Sequence, residues 1–454
     1  MNSIFDRVLE IFQKYYICPH CLGRIFALLG TSTTNLERGN SLLLSFTMEN
    51  HRKYFSGDKN YEKTTINNLR ILAENAKFIP AQKVLENEGF DYSKARLDKK
   101  CYLCNNIFLN LQIYVEKAKE IVKSIEFNSF LIGTSPNSEI INREDIFKSE
   151  LNILNSESFK SHFNRVVGKK ISEELKKTVE FNNPDIILLY SIGFENFNIE
   201  LIFKSIFIAG RYNKLIRGIP QTRWICKNCQ GKGCDICNFS GKKYETSVEE
   251  LINPEFIKET HASDSKFHGA GREDIDVRML GTGRPFILEL KNPQRRILDL
   301  DKIEKKINQI NAGKIRICDL RYSNKKEVIS IKFRAESSKK TYKVLVEAEK
   351  GLNLDKFKDL INELKNKFEN QKISQRTPSR VSHRRADIIR KKMIYNIEAQ
   401  HIKPNLFEFI IETQGGTYIK ELINGDKGRT TPSFAEIFKI PLICKELDVI
   451  SAEN

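Results

Sequence analysis

Apolar residues recur at helical spacing at the start of the chain, at Ile4, Val8, Ile11 and Phe12, which predicts a helix ahead of the loop Cys18-Pro19-His20-Cys21. Residues 60–100 are polar with a helical pattern. Between 101 and 210, helical stretches such as Ile107 to Ile125 alternate with short apolar runs. FLIGT (130–134), DIILLY (185–190) and LIFKSIFIAG (201–210) read as buried strands. A Gly-rich, basic, Cys-rich break follows from 211. Beyond 245 the texture is strand-rich, with PFILEL (285–290), VISIKFRAE (328–336), YKVLVEAE (342–349), MIYNIEAQHI (393–402) and LFEFIIETQ (406–414). Helices fit at Asp299–Ile310 and Leu354–Asn370. The pattern predicts an α+β chain: a first domain over 1–210, a basic Cys-rich connector over 211–244, and a mixed, largely antiparallel α+β domain over 245–454.

The chain has 454 residues, enough at ~150 residues per domain for two or three domains. Hydrophobic residues make up 40%, which excludes wholesale disorder. No apolar run approaches the ~20 residues of a membrane span, and MNSIFDRVLEIFQKYY lacks a signal-peptide core, so a soluble, cytoplasmic protein is expected. The net charge of +17 points to a polyanion partner, because neutralised phosphates release counterions.

Eight of the ten cysteines form C-x2-C pairs: Cys18/Cys21, Cys101/Cys104, Cys226/Cys229 and Cys234/Cys237. In a reducing compartment such pairs read as zinc knuckles. The first two pairs would make one four-thiolate site, and the last two a second with an unusually tight four-residue link. Cys318 and Cys444 read as small buried hydrophobes.

Three further segments carry candidate chemistry. In 266–296, Gly-flanked acids precede a strand, without a P-loop or G-x-G-x-x-G pattern, and the interleaved Arg272 and Arg278 argue against a Mg²⁺ site. A single ion-paired carboxylate held in a loop suits a nucleophile better. Segment 371–392 has eight Arg or Lys and reads as a basic loop laid along a phosphate backbone. In 413–434, Gly415 and Gly416 permit a close backbone approach ahead of Tyr418, Ile419 and Lys420.

The set RYNKLIRGIPQTRW (211–224), FHGAGREDIDVRMLGTGRPF (267–286), QRTPSRVSHRRAD (375–387) and TQGGTYIKELINGDKGRTTPS (413–433) closely resembles the archaeal and eukaryotic tRNA pseudouridine synthases that act on uridines 54 and 55 of the T-loop. The resemblance implies a zinc-containing, THUMP-like, tRNA-binding accessory domain followed by a pseudouridine synthase catalytic domain. It also implies an isomerase that uses an essential Asp and no organic cofactor, with zinc only structural. The partner would be the T-arm of tRNA, and the enzyme a monomer.

Gly271-Arg272-Glu273-Asp274 with Val277 resembles a G-R-T-D-x-x-V pattern, favouring Asp274 as the essential residue, while Asp276-x4-Gly281 mirrors a looser spacing and keeps Asp276 as rival. Tyr342 resembles the tyrosine that stacks on the flipped uracil, and Tyr418 and Ile419 a second substrate-contacting pair. By the same resemblance Lys420 ion-pairs with the catalytic Asp, and Arg272, Arg384 and Arg385 bind substrate. The alternative is a non-catalytic zinc-containing RNA-binding protein of translation. That alternative leaves the Gly-flanked acids, Tyr342 and Gly416–Lys420 without a role. A THUMP-bearing methyltransferase or thiolase would need a nucleotide-binding glycine loop, which the sequence lacks.

Overall fold

The computed structural model describes residues 3–30, 32–57, 59–94 and 99–452, apart from the side chains at 59–61, 336 and 384. The chain divides into two units, Met1–Lys204 and Ser205–Asn454.

The first unit opens on helices Ile4–Lys14, Pro19–Ile25, Asn35–Phe55, Lys59–Glu74 and Ile79–Asn87. Ser3 and Thr34 cap the first and third of these with capping boxes, as their Ser/Thr-x-x-acid spacing requires. Residues 95–98 of the expected helical stretch lie outside the described residues. The helix expected from Ile107 to Ile125 is a short 3-10 turn, Ile107–Leu109, followed by the helix Gln112–Val122. A four-stranded sheet follows, made of β1 (Ser129–Pro136), β2 (Thr178–Val179), β3 (Ile186–Ile192) and β4 (Phe197–Phe203) in the order β2-β1-β3-β4. β1 runs parallel to both β2 and β3, and β4 is antiparallel to β3.

The second unit is built on one ten-stranded sheet. Its strands are β5 (Ile206–Lys214), β6 (Asp264–Gly269), β7 (Arg278–Lys291), β8 (Ile315–Ser323), β9 (Lys339–Ala348), β10 (Gln371–Arg376), β11 (Ile389–Lys403), β12 (Leu406–Gln414), β13 (Thr430–Thr431) and β14 (Leu442–Ala452). The order is β13-β10-β11-β12-β9-β14-β7-β5-β8, with β6 also paired to β7. All of these pairings are antiparallel except β14 with β7. Helices Leu300–Ile310 and Leu354–Phe368 occupy their expected positions and bury Ile303, Ile307, Phe357, Ile361, Leu364 and Phe368 in the core of this unit.

Three expectations are corrected. VISIKFRAE is not a strand but most of the helix Lys325–Ser337. The Asn324 side chain caps it, and Val328, Ile331 and Ala335 are buried at helical spacing, which overrides the β-branched run. The run 201–210 is two strands: β4 closes the first sheet, a break falls at Lys204–Ser205, and β5 enters the second sheet between β7 and β8. The boundary expected at 210 therefore falls inside β5, and the segment 211–244 is part of the second unit, not a connector.

Candidate active site

Between β6 and β7 the chain makes the loop 270–277, which holds Glu273, Asp274 and Asp276. Gly271 has φ +84, the left-handed region open to glycine, and the side chains of Arg284 and Lys340 stand within 3.2 Å of where its Cβ would be. The turn sends neighbouring acids in opposite directions. The Glu273 side chain has no solvent exposure, whereas those of Asp274 and Asp276 are 32% and 64% exposed. Inside, Glu273 accepts from the Tyr212 hydroxyl at 2.9 Å and pairs with Arg284 at 2.8 Å. Arg284 also donates to the Ala270 carbonyl. The paired, hydrogen-bonded charges anchor the loop in a place where a lone charge would be costly.

The loop backbone is held from RYNKLIRGIPQTRW. Lys214, fully buried, donates to the carbonyls of Ile219, Asp274 and Ile275 at 3.0–3.2 Å. Burial lowers its pKa to about 8 despite the nearby Glu273 and Asp276. Gln221 donates to the Gly271 carbonyl and to Tyr212, and Arg217 to the Asp276 carbonyl. Arg217 and Arg278 both pair with Asp448 on β14. Sequence reasoning named the motif but assigned none of these residues a role. Their contacts are to carbonyls of a loop some sixty positions away, which no local pattern signals.

Asp274 pairs with Arg380 at 2.9 Å and lies 3.8 Å from Lys420. Lys420 sits closer to Asp276, at 2.6 Å. The expected Lys420 pair is therefore shared between the two aspartates, and Arg380, from the basic segment, is the nearer partner of Asp274. Arg380 also pairs at 2.7 Å with Glu421, whose side chain is 5% exposed. Burial works against the Asp276 carboxylate, but its hydrogen bonds from Lys420 hold its pKa below the ordinary value.

Tyr342, on β9, is 9% exposed, and burial pushes its phenol up to about 12, with the charge of Asp274 acting in the same direction. It is a neutral aromatic ring at physiological pH. Tyr418 accepts from Arg385 at 3.1 Å, and Gln375 grips its backbone N–H and C=O, each at 2.9 Å. Ile419 does not line an open surface: it is 3% exposed and joins the core with Leu422 and Ile423. The side chain of Arg384 lies outside the described residues. The basic segment folds back over 379–384 as a short 3-10 turn. Arg429 pins it through the Thr377 carbonyl and Asp387, and Asp426 accepts from the Ser379 backbone N–H. Gly415 meets the end of the helix Lys325–Ser337: a Cβ there would lie 2.3 Å from the Ala335 carbonyl.

The cysteine tetrads fit the metal expected of them. Cys18 caps the helix Pro19–Ile25, which holds Cys21, and the loop bearing Cys101 and Cys104 meets them in the core of the first unit. In each tetrad the four Sγ atoms lie within 4.8 Å of one another. A four-thiolate zinc with Zn–S near 2.3 Å spaces its sulfurs about 3.8 Å apart. The Cys18–Cys104 separation is 3.6 Å, and three separations in the second tetrad are 3.7–4.0 Å. Backbone N–H groups of Cys18, Gly233, Cys234 and Gly241 donate to thiols, the outer-shell pattern of thiolate sites. Asn228 donates to Cys234 and is the main cause of its pKa falling to about 6. Trp224, two residues before Cys226, carries the Arg272 guanidinium of the site loop 5.0 Å from its ring centre.

Residues 207–453 match the family described as "Pus10, C-terminal", and residues 114–191 match "Pus10 THUMP domain, archaeal". The chain belongs to the Pus10 family. A relative named "tRNA pseudouridine synthase Pus10" from Methanocaldococcus jannaschii is 41% identical over 98% of the chain and 94% of its own length. One of the same name from Thermofilum pendens is 38% identical over 99% and 95%. A third, from Methanosphaera stadtmanae, is 42% identical over 78% and 88%. The Pus10 C-terminal match spans the whole candidate site and the second tetrad, and the Pus10 THUMP match includes β1, β2 and all but the last residue of β3. The first tetrad lies outside both matched ranges. No helix among the described residues is long and apolar enough to cross a membrane.

Proposed function

We propose that this chain is a tRNA pseudouridine synthase, an isomerase that converts uridine to pseudouridine at position 54, position 55 or both in the T-loop, with Asp274 as its essential carboxylate. The observation that carries the reading is the setting of Asp274. It is a partly exposed carboxylate on a loop braced by buried hydrogen bonds, paired to Arg380 and Lys420. Asp276 is twice as exposed and is paired to Lys420.

The reaction breaks the C1′–N1 bond, turns the base and rejoins it through C5, so the target must leave the stack of its loop. Tyr342 offers a face on which a uracil can rest in more than one orientation, because stacking tolerates rotation. Arg380 and Lys420 hold the Asp274 carboxylate in place beside the base. Arg385, Tyr418 and the basic segment take the RNA backbone. The enzyme needs no organic cofactor, holds zinc for structure, and works as a cytoplasmic monomer, with the THUMP-containing unit binding tRNA.

Incubation with an unmodified tRNA transcript and no cofactor, followed by mapping of pseudouridine, tests this. Pseudouridine in the T-loop supports the reading. Binding without isomerisation would sink it and leave a non-catalytic RNA-binding protein.

A further inference from the structure

Lys340 stands two residues before Tyr342 on β9, and strand alternation turns both side chains to the same buried face. It is 5% exposed. Among the described residues its ammonium makes no hydrogen bond and has no carboxylate at ion-pairing distance. The charged groups that face it are Arg284 on β7, Lys392 on β11 and Glu273 in the loop. Each is already engaged: Arg284 with Glu273 and Ala270, and Lys392 with the Gly415 carbonyl at 2.6 Å. The Lys340 Nζ lies 3.2 Å from where a Gly271 Cβ would be, three positions before Asp274. Burial, helped by Arg284 and Lys392, lowers its pKa to about 7. A buried cation without a partner is costly. Here it lies under the loop at Gly271 and on the same strand face as Tyr342, the ring offered to the base.

Resting on the synthase reading above, we propose that Lys340 is a substrate-contacting residue whose ammonium donates a hydrogen bond to a carbonyl oxygen of the target uracil. When C1′–N1 breaks, the bonding pair stays on N1 and spreads onto the two carbonyl oxygens. The ammonium holds that charge and keeps its own proton, while the electron-poor C1′ is met by the Asp274 carboxylate, which is released again when C1′ bonds to C5, so the step needs no further reactant. Phosphates are left to the exposed Arg and Lys of the basic segment, because Lys340 is 5% exposed and lies on the same strand face as Tyr342, away from that segment's surface cations.

The test compares the wild-type chain with Lys340→Met and Lys340→Arg on a tRNA transcript between pH 6 and 9. Lys340→Met should lower kcat about 10²–10³-fold, the scale for losing one donor to a developing anion, with KM within a few-fold. Its thermal midpoint at pH 6 should rise, since the folded state no longer has to hold an unpaired charge. Wild-type kcat/KM should fall as pH rises through about 7. In Lys340→Arg that fall should disappear, because the guanidinium stays charged. A fall caused instead by Lys214, whose pKa lies near 8, would persist in Lys340→Arg. An active wild type with Lys340→Met near full kcat, a fall that persists in Lys340→Arg, or a Lys340→Met chain that fails to fold would each overturn the assignment. A wild type that makes no pseudouridine would overturn the synthase reading and this role together.

Discussion

Glu273, Asp274 and Asp276 lie within four positions, yet one is sealed under the loop and two face outward. Asp274→Asn keeps the volume and removes the carboxylate. It should abolish turnover, with tRNA affinity changed by no more than a few-fold, whereas Asp276→Asn should retain most of the rate. Pseudouridine counting alongside filter binding checks both, and near-normal turnover by Asp274→Asn would end its assignment. The outward acids were legible in sequence because their motif is local: glycine, arginine and acids within a few positions. Lys214, Gln221, Arg284 and Lys340 were not, because each acts through space on groups brought near by the sheet. Arg380 was visible only as one of eight cations in its segment, and its pairing with Asp274 requires the turn at 379–384.

The elements that read correctly from sequence carry either clean alternation, as in β12, or clean helical spacing, as in Leu354–Phe368. Lys325–Ser337 misread because Val328, Ile329 and Ile331 favour strands locally, while only the Asn324 cap and the buried i, i+3, i+7 face reveal the helix. The cysteine pairs were legible from spacing alone, but what each tetrad supports was not. The first is enclosed in the core of its unit, and the second follows two residues after Trp224, whose ring carries Arg272. Elemental analysis should find two zinc ions per chain. Strong chelation should make the first unit protease-sensitive, and Cys226→Ser with Cys237→Ser should weaken tRNA binding through Arg272 while leaving the first unit resistant. A zinc-free chain with an unchanged thermal midpoint would contradict the structural role of both sites.

At the scale of the molecule, the +17 charge has a measurable signature. If six to ten phosphates are neutralised, tRNA affinity should drop ~10³–10⁵-fold between roughly 50 and 200 mM salt. Arg385→Ala should reduce that slope, and a flat salt response would leave the charge as plain surface. The division of the chain also sets what can be cut. A fragment starting at 245 would lack β5, the strand between β7 and β8, whereas one starting at Ser205 keeps the sheet entire. The Ser205 fragment should fold and isomerise uridine with a raised KM for tRNA, measured by the same mapping assay.

β14 gives this sheet an order of assembly. Among the described residues it is the one strand that hydrogen-bonds the block β9-β12-β11-β10-β13 to the block β7-β5-β8, and its Asp448 clamps Arg217 and Arg278. On a translating ribosome both blocks emerge before β14 does. Each then waits with an open strand edge, and the nascent chain can bind RNA through its cations well before it can act on a uridine. Chaperone demand during synthesis should therefore concentrate in the interval before residue 452 clears the exit tunnel, and activity should switch on in one step after it.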